Sequence, residues 1–285
     1  GFTIYGGNIA STLAGEFSFS MALSLGVVYV GVVMKGLETG RHRGWAAVLL
    51  ALTGLCHLIV AFWVLGATAV TVLVRFNRSR SPWEPCVAVG ALGVALLLNA
   101  LLVGPLLGLV GGLPVLALAG LGVAAVAVAL WLASESVRWL TPVMVVGGLL
   151  SLFWVGPFYL RRAYLNDMGW EKLPYENETL WQHLFPNKTP DVDLRWAFGL
   201  ALLGAVVTIV TRLRSGLFLL ITSVGVGVAF VVAPEGRLWN GRLLPFYYLT
   251  VLLLAGLGVS ETVRLITQRA RVVRPRPVTA GVPTA

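Results

Sequence analysis

Long apolar runs separated by short polar stretches cover most of the chain. They fall at about 18–34, 44–74, 85–103, 112–133, 139–160, 195–211, 216–233 and 244–264. A helix needs about 20 predominantly apolar residues to cross the hydrocarbon layer of a membrane, and most of these runs are close to that length. Strict alternation of apolar and polar residues, which a membrane barrel requires, is rare. The pattern therefore predicts an all-α, polytopic integral membrane protein.

The run at 44–74 leaves the number of membrane segments open, because it is long for one span and short for two. Lys35, Arg41 and Arg43 precede it, and the stretch 75–80 that follows contains three more arginines. Cytoplasmic loops of membrane proteins are enriched in basic residues. A short helical hairpin places both basic groups on one side, whereas a single tilted helix separates them. We therefore predict a hairpin, and about nine membrane segments in all.

The same rule predicts which way the chain faces. The hairpin puts most of the 21 basic residues in the cytoplasm and the N-terminal end outside. Residues 1–267 then form the transmembrane domain, with outer-face loops at 1–17, 161–194 and 234–243. Residues 268–285 are rich in arginine and proline and are predicted to be a disordered basic cytoplasmic tail. The chain begins at Gly1 without a methionine or a signal peptide, so we expect the N-terminal part of the full protein to be missing.

Composition narrows the class further. The chain is 58% hydrophobic and 12% charged, whereas a soluble domain carries roughly a quarter charged residues. Its formal net charge of +9 is accounted for by cytoplasmic loops beside anionic headgroups. Membrane lipids, and no nucleic acid, are the expected partners. The two cysteines, Cys56 and Cys86, lack metal-ligand spacing and favour helix packing, so no metal or other cofactor is expected. The excess of arginine over lysine is typical of a GC-rich bacterial genome and indicates a bacterial plasma membrane.

Two ionisable residues stand at unusual places. Glu16 lies where the chain enters the first membrane helix, and His57 lies near the tip of the predicted hairpin. An acid at the interface is able to accept a proton or to bind a sugar hydroxyl or a cation. Its position alone, however, favours a role in complementing the positive end of its own helix. His57 indicates either a cavity at a broken hairpin or a continuous helix in which the imidazole hydrogen-bonds a neighbour.

The loop 161–194 mixes charged and aromatic side chains, a composition that suits stacking on sugar rings and hydrogen bonding to their hydroxyls. Its candidate contacts to a sugar or a carbohydrate acceptor are Arg161, Arg162, Trp170 and Tyr175, and Asp167 is a candidate catalytic acid. Interfacial aromatic residues also anchor membrane proteins without binding any ligand. Both interpretations stay open.

The stretch "PEGRLWNGRLLPFYYL" (234–249) gathers Glu235, Arg237, Asn240 and Arg242 at the start of the last apolar run. Guanidinium groups suit phosphate oxygens, and a position at the membrane edge suits the phosphate of a lipid. Glu235 is able to hold one arginine in place or to bind a substrate hydroxyl. The alternative is a turn whose long side chains reach the interface without binding a ligand.

Three stretches together carry a family resemblance: "GGNIASTLAGEFSFS" entering a membrane helix, "LTGLCHLIVAF" in the predicted hairpin, and "GRLWNGRLLPFYYL" opening the last helix. Over residues 1 to about 266 the chain resembles the bacterial multi-pass membrane proteins called 6-pyruvoyl-tetrahydropterin synthase-related. Despite that name these proteins show no evident pterin chemistry, and they are similar to GT-C glycosyltransferases.

The resemblance implies a GT-C-like fold and transfer of a sugar from a polyprenyl-phosphate donor to a carbohydrate acceptor on the outer face, during cell-envelope assembly. It implies that Arg237 and Arg242 bind the donor phosphate and that His57 lines the lipid cavity. The usual catalytic acid of such enzymes lies on the first outer loop, which would precede Gly1, so Glu16 is a secondary candidate. The alternative function is a non-catalytic lipid or polysaccharide exporter, or a membrane assembly scaffold.

Overall fold

The computed structural model describes residues 9–13, 16–76, 135–164, 172–175, 177–186, 188–189, 192–193, 195–233 and 239–273. In chain order its helices are α1 (Ile9–Leu13), α2 (Phe17–Thr39), α3 (Arg43–Cys56), α4 (Leu58–Phe76), α5 (Glu135–Leu160), α6 (Leu180–Leu184), α7 (Arg195–Thr211), α8 (Arg214–Val232) and α9 (Leu244–Val273). Short 3₁₀ turns occupy Arg162–Tyr164 and Asn240–Leu243. A two-stranded antiparallel ribbon joins β1 (Lys188–Thr189) to β2 (Val192–Asp193).

The described part is thus helical apart from this small ribbon, as the apolar pattern predicts. Within the described ranges, four helical stretches are long and apolar enough to cross a membrane: Phe17–Thr39, Glu135–Leu160, Arg214–Val232 and Asn240–Gln268. Three apolar helices, α3, α4 and α7, are shorter. These helices are consistent with a multi-pass membrane protein.

Residues 44–74 form two helices and not one. The break lies at His57, whose extended backbone (φ −159°, ψ 121°) separates α3 from α4. The Phe19 ring at the start of α2 lies 4.8 Å from the His57 ring at the end of α3, so these two helices run antiparallel. The Tyr29 hydroxyl lies 3.1 Å from that of Thr68, further along both α2 and α4, so α4 runs parallel to α2. The chain therefore reverses at His57, and the predicted hairpin is confirmed.

The remaining helices alternate in direction in the same way. The Trp139 indole donates to the Arg41 carbonyl oxygen at 3.2 Å, which places the start of α5 beside the start of α3. Phe230 at the end of α8 packs with Leu244 at the start of α9. The helices α7 and α9 lie side by side and in such close contact that a Cβ atom at Gly204 would overlap the Leu254 carbonyl oxygen.

These directions divide the connections between two ends of the bundle. One end, which we call the Glu16 end, holds the start of α2, the hairpin tip, the 3₁₀ turn Asn240–Leu243 and the loop before α7. The opposite end, which we call the Arg41 end, gathers basic residues from several connections: Lys35, Arg41, Arg43, Arg138, Arg212 and Arg214. Those basic groups of the charge pattern that the structure describes in these connections therefore share one end of the bundle.

The last helix runs beyond residue 267, where the sequence predicts the tail to begin. The helical backbone of α9 continues through Val273. An i,i+3 ion pair between Glu261 and Arg264 supports this final stretch. No glycine or proline interrupts it before Pro275, which disfavours helix in the residue that precedes it.

Other predicted features lie outside the described residues. These are the segments 85–103 and 112–133, Cys86, Asp167, Trp170, Glu235, Arg237 and residues 274–285, and of Arg162 only the backbone is described.

Replacing Gly147 by alanine is expected to destabilise the contact between α3 and α5. A Cβ atom at this position would lie 2.9 Å from Leu50 Cδ2 and 3.1 Å from the Ala47 carbonyl oxygen, so the two helices must separate slightly. The expected cost is about 1–2 kcal/mol, measured as a lowered unfolding midpoint in detergent. Gly148→Ala is the matched control, because the space around that Cβ position is empty. An equal loss in both variants would contradict the packing argument.

Candidate functional site

Glu16, near the start of the sequence, forms an ion pair with Arg242, which lies 226 residues later. The Arg242 Nη1 donates to Glu16 Oε2 at 2.5 Å, and Nη2 donates to Oε1. This forked geometry matches a planar guanidinium to a planar carboxylate. The side chains of Glu16 and Arg242 are 28% and 21% exposed, so the pair is neither fully solvated nor sealed from water.

Local backbone structure positions both partners. Glu16 stands immediately before α2, and its N–H donates to the Ser11 carbonyl oxygen at 2.9 Å. Its side chain makes no capping hydrogen bond, although the carboxylate still stands at the positive end of its own helix. Arg242 lies in the 3₁₀ turn Asn240–Leu243, and its guanidinium lies 5.9 Å from the centroid of the Trp239 ring. The carboxylate therefore hydrogen-bonds the arginine and not the backbone of its own helix.

Aromatic rings lie next to the pair. We call Phe19, His57, Trp63 and Phe246 the aromatic cluster. Phe19 lies 4.8 Å from His57 and 5.5 Å from Phe246, and Trp63 stacks on Phe246 at 5.0 Å with the planes 9° apart. The cluster joins the starts of α2, α4 and α9, so it forms only when the hairpin and the last helix meet.

Two polar atoms within the aromatic cluster are buried without a hydrogen-bond partner among the described residues: His57 Nδ1 and Trp63 Nε1. The backbone of His57 is satisfied, because its N–H donates to the Thr53 carbonyl oxygen at 2.9 Å and its own carbonyl accepts from Ala61 at 3.1 Å. The His57 imidazole interacts electrostatically with both the Arg242 guanidinium and the Glu16 carboxylate. A buried polar atom without a partner is costly in a protein interior, so these atoms are suited to a ligand.

Asn240 has a structural role that the sequence does not indicate. Its side chain is buried, and its Oδ1 accepts from the Leu173 N–H at 2.8 Å. Its Nδ2 donates to the carbonyl oxygens of Leu173 at 2.8 Å and Phe230 at 3.2 Å. The amide thus ties the stretch before α6, the end of α8 and the Arg242 turn together. Its donors and acceptor are used by backbone groups, not offered to a phosphate.

The loop between α5 and α7 carries a second polar arrangement, which sequence reasoning missed. His183 Nε2 and Glu178 Oε2 are 2.9 Å apart, and the same carboxylate oxygen accepts from the Tyr175 N–H at 3.2 Å. The Tyr248 hydroxyl donates to the His183 carbonyl oxygen, which fastens the loop to α9. The capping box formed by Thr179 and Gln182 starts α6, and its S/T-x-x-Q spacing is the signal that would have located this element.

The side chains of two predicted carbohydrate contacts, Arg161 and Tyr175, are described, and both are exposed. Arg161 follows α5 and is exposed, and Tyr175 is also exposed, at 44%. Among the described residues no hydrogen bond or ion pair joins Arg161 to Glu16 or Arg242. The same described ranges contain no group of three His, Cys, Asp or Glu residues that could hold a metal ion.

Comparisons of the chain with family models, with curated proteins and with solved structures found no match.

Proposed function

We propose that the protein is a GT-C-like membrane protein that binds a polyprenyl-phosphate-linked sugar at the Glu16 end and transfers the sugar during cell-envelope assembly. The observation that carries the proposal is the forked contact between Arg242 and Glu16 beside the aromatic cluster. It holds a guanidinium at one end of a bundle of apolar helices, and a guanidinium fork matches the geometry of phosphate oxygens.

Arg242 keeps donors for a second anion. A guanidinium carries N–H groups on all three of its nitrogens, and the contact with Glu16 uses only Nη1 and Nη2, each through one hydrogen. The remaining N–H groups belong to a side chain that is one-fifth exposed. A phosphate arriving at this edge of the guanidinium would form charge-assisted hydrogen bonds without first breaking the contact with Glu16.

The partly exposed members of the aromatic cluster, His57 and Trp63, offer a surface for the lipid chain, and the fully buried Phe19 and Phe246 support them from behind. The helix α3 has 14 residues, so it is about 21 Å long, less than the roughly 30 Å of a hydrocarbon layer. If α3 begins at one membrane surface, the hairpin tip at His57 lies below the other. A polyprenyl chain next to the partly exposed Trp63 would then reach the hairpin tip, in agreement with the cavity role that the resemblance implies for His57.

We place the Glu16 end on the outer face of a bacterial plasma membrane. The support is the positive-inside rule, because basic residues from several connections gather at the Arg41 end. This orientation puts Arg242 where lipid-linked sugar donors are used, and it puts the exposed aromatic residues of the 172–186 loop, including Tyr175 and Trp181, where a carbohydrate acceptor would approach.

In this proposal Glu16 positions Arg242 and is not the catalytic base. Each of its carboxylate oxygens accepts a hydrogen bond from the guanidinium, so we assign this carboxylate to holding Arg242 in place. The base is then another acid, for which Asp167 is the candidate within this chain. Arg242 would stabilise the charge that grows on the departing phosphate.

The engagement of Glu16 also favours a second candidate function, a non-catalytic exporter or assembly scaffold. Such a protein would use Arg242 to hold a phosphate-bearing lipid without needing a base. Both candidates share the lipid phosphate as ligand and differ only in turnover.

Binding of polyprenyl phosphate, compared with polyprenol of the same chain length, tests the shared step. The purified chain in nanodiscs is expected to prefer the phosphate by about tenfold or more, since hydrogen bonds to a charged group contribute about 1.5–3 kcal/mol. Equal binding of the two lipids would exclude a phosphate site. Transfer of a labelled sugar from a polyprenyl-phosphate donor then separates the candidates, because an exporter or scaffold binds the donor without releasing its sugar.

A further inference from the structure

The 172–186 loop contains a carboxylate that is held by one of its two oxygens. Glu178 Oε2 accepts from the Tyr175 N–H at 3.2 Å and lies 2.9 Å from His183 Nε2. A carboxylate oxygen only accepts, so Nε2 carries the proton of this second hydrogen bond. Glu178 Oε1 makes no hydrogen bond to any residue that the structure describes, and the Glu178 side chain is 38% exposed. Oε1 is therefore available to a ligand.

The groups that hold Glu178 are themselves fixed. The His183 side chain is buried, and its ring lies 6.1 Å from the Phe230 ring. The Tyr248 hydroxyl donates to the His183 carbonyl oxygen, which ties this residue to α9. The Glu178 N–H donates to the Tyr175 carbonyl oxygen at 2.9 Å and closes a turn between these two residues. The carboxylate is thus oriented before any ligand arrives, as a reacting group requires.

The same loop is bonded to the turn that carries Arg242. Leu173 and Asn240 exchange two hydrogen bonds of 2.8 Å each. Leu173 lies two residues before Tyr175, and Asn240 lies two residues before Arg242. A chain spans at most about 3.6 Å per residue, so each of these steps covers about 7 Å or less. Glu178 and Arg242 therefore border the same end of the bundle.

We propose that Glu178, in place of Asp167, is the general base of the sugar transfer, an inference that rests on the proposed function. The hydroxyl of the carbohydrate acceptor donates to Glu178 Oε1. As the acceptor oxygen forms its bond to the anomeric carbon of the sugar, the hydroxyl proton passes to Oε1. The bond from that carbon to the phosphate oxygen breaks, and its electron pair leaves with the polyprenyl phosphate, whose growing charge Arg242 stabilises.

Glu178→Gln tests the proton transfer, because glutamine keeps an oxygen for the Tyr175 N–H and His183 but no carboxylate to act as the base. The purified chain in nanodiscs is assayed with polyprenyl-phosphate-linked glucose, mannose and galactose as donors and octyl glucoside as acceptor. We expect kcat to fall about 100-fold or more. The affinity for polyprenyl phosphate should stay at the wild-type value, which also shows that the variant is folded. Glu38→Gln is the matched control, because Glu38 is an exposed, ion-paired glutamate at the other end of the bundle.

Formate provides a second test, in Glu178→Ala. A small carboxylate is able to enter the space left by the side chain and take the proton, so formate should restore part of the activity. It should restore none to Arg242→Gln, which lacks the partner of the phosphate.

The outcomes separate this inference from the proposed function. Wild-type kcat in Glu178→Gln, absence of rescue by formate, or a loss of transfer in Asp167→Asn but not in Glu178→Gln would overturn Glu178 as the base and leave sugar transfer standing. A wild-type chain that transfers sugar from none of the three donors would overturn the transfer itself, and the role of Glu178 with it.

Discussion

Arg242→Gln is expected to lower the affinity for polyprenyl phosphate by about tenfold or more, while binding of the uncharged polyprenol stays unchanged. Glutamine keeps a polar side chain in the turn but removes the charge and the planar fork that a phosphate requires. The measurement is a titration of both lipids into the purified chain in nanodiscs. A loss confined to the phosphate lipid identifies Arg242 as its partner.

Arg264→Gln provides the control for this loss. Arg264 also pairs with a glutamate, Glu261, but it lies on α9 toward the Arg41 end. It reports the effect of removing one arginine from an ion pair without touching the proposed site. If Arg242→Gln and Arg264→Gln bind polyprenyl phosphate equally well, Arg242 has no part in phosphate binding and the proposed function loses its main support.

Glu16→Gln tests which of two opposing effects of the Glu16 carboxylate on phosphate binding is larger. Glu16 holds the guanidinium in place, and it also repels a phosphate about 5 Å away by about 3 kcal/mol at an effective dielectric constant of about 20. Loss of a partly exposed hydrogen-bonded pair costs less, about 1 kcal/mol. We therefore expect Glu16→Gln to bind polyprenyl phosphate more tightly than the wild type. Weaker binding would mean that positioning dominates.

The hairpin could be predicted from sequence because charge constrains it. Basic residues flank the run 44–74 on both sides, and only a chain reversal near His57 puts them at the same end. The contact between the Tyr29 and Thr68 hydroxyls shows that α4 does return alongside α2. Because several basic residues support the hairpin, the prediction does not depend on the exact boundary of any single helix.

The Glu16–Arg242 pair could not be predicted, although both residues were singled out. They are 226 residues apart, and no local pattern states which acid meets which arginine. The position of Glu16 before α2 favoured a capping role, since that interaction is local and needs no knowledge of tertiary contacts. The carboxylate makes no capping hydrogen bond, because a guanidinium in fork geometry offers it two charge-assisted hydrogen bonds, which are stronger than bonds to neutral backbone N–H groups.

Asn240 is a second residue whose contacts could not be predicted from the sequence. In the sequence it stands beside two arginines, and that neighbourhood favoured a phosphate ligand. In the structure its amide is buried against Leu173 and Phe230, residues from two other parts of the chain. An asparagine is able to satisfy a backbone N–H and backbone carbonyls together, which makes it suited to joining a loop to a helix end. Sequence proximity to charge does not distinguish these roles.

Asn240→Ala is therefore expected to destabilise the protein and not to remove a ligand directly. The substitution leaves the Leu173 N–H and the carbonyl oxygens of Leu173 and Phe230 without their partner in a buried place. Each unsatisfied buried group costs about 1–3 kcal/mol, and partial solvation of the loosened loop reduces the sum, so we expect a loss of about 2–4 kcal/mol. The measurement is the unfolding free energy in detergent.

Limited proteolysis locates that loss, because the 172–186 loop should be cleaved faster once the amide no longer holds it to the turn. Asn177→Ala is the matched control: Asn177 lies in the same loop but is exposed, so its substitution should change neither stability nor cleavage. The decisive combination is stability with lipid binding. If Asn240→Ala keeps the wild-type unfolding free energy but loses polyprenyl phosphate, Asn240 contacts the ligand, and its bonds to Leu173 and Phe230 must give way when the lipid binds.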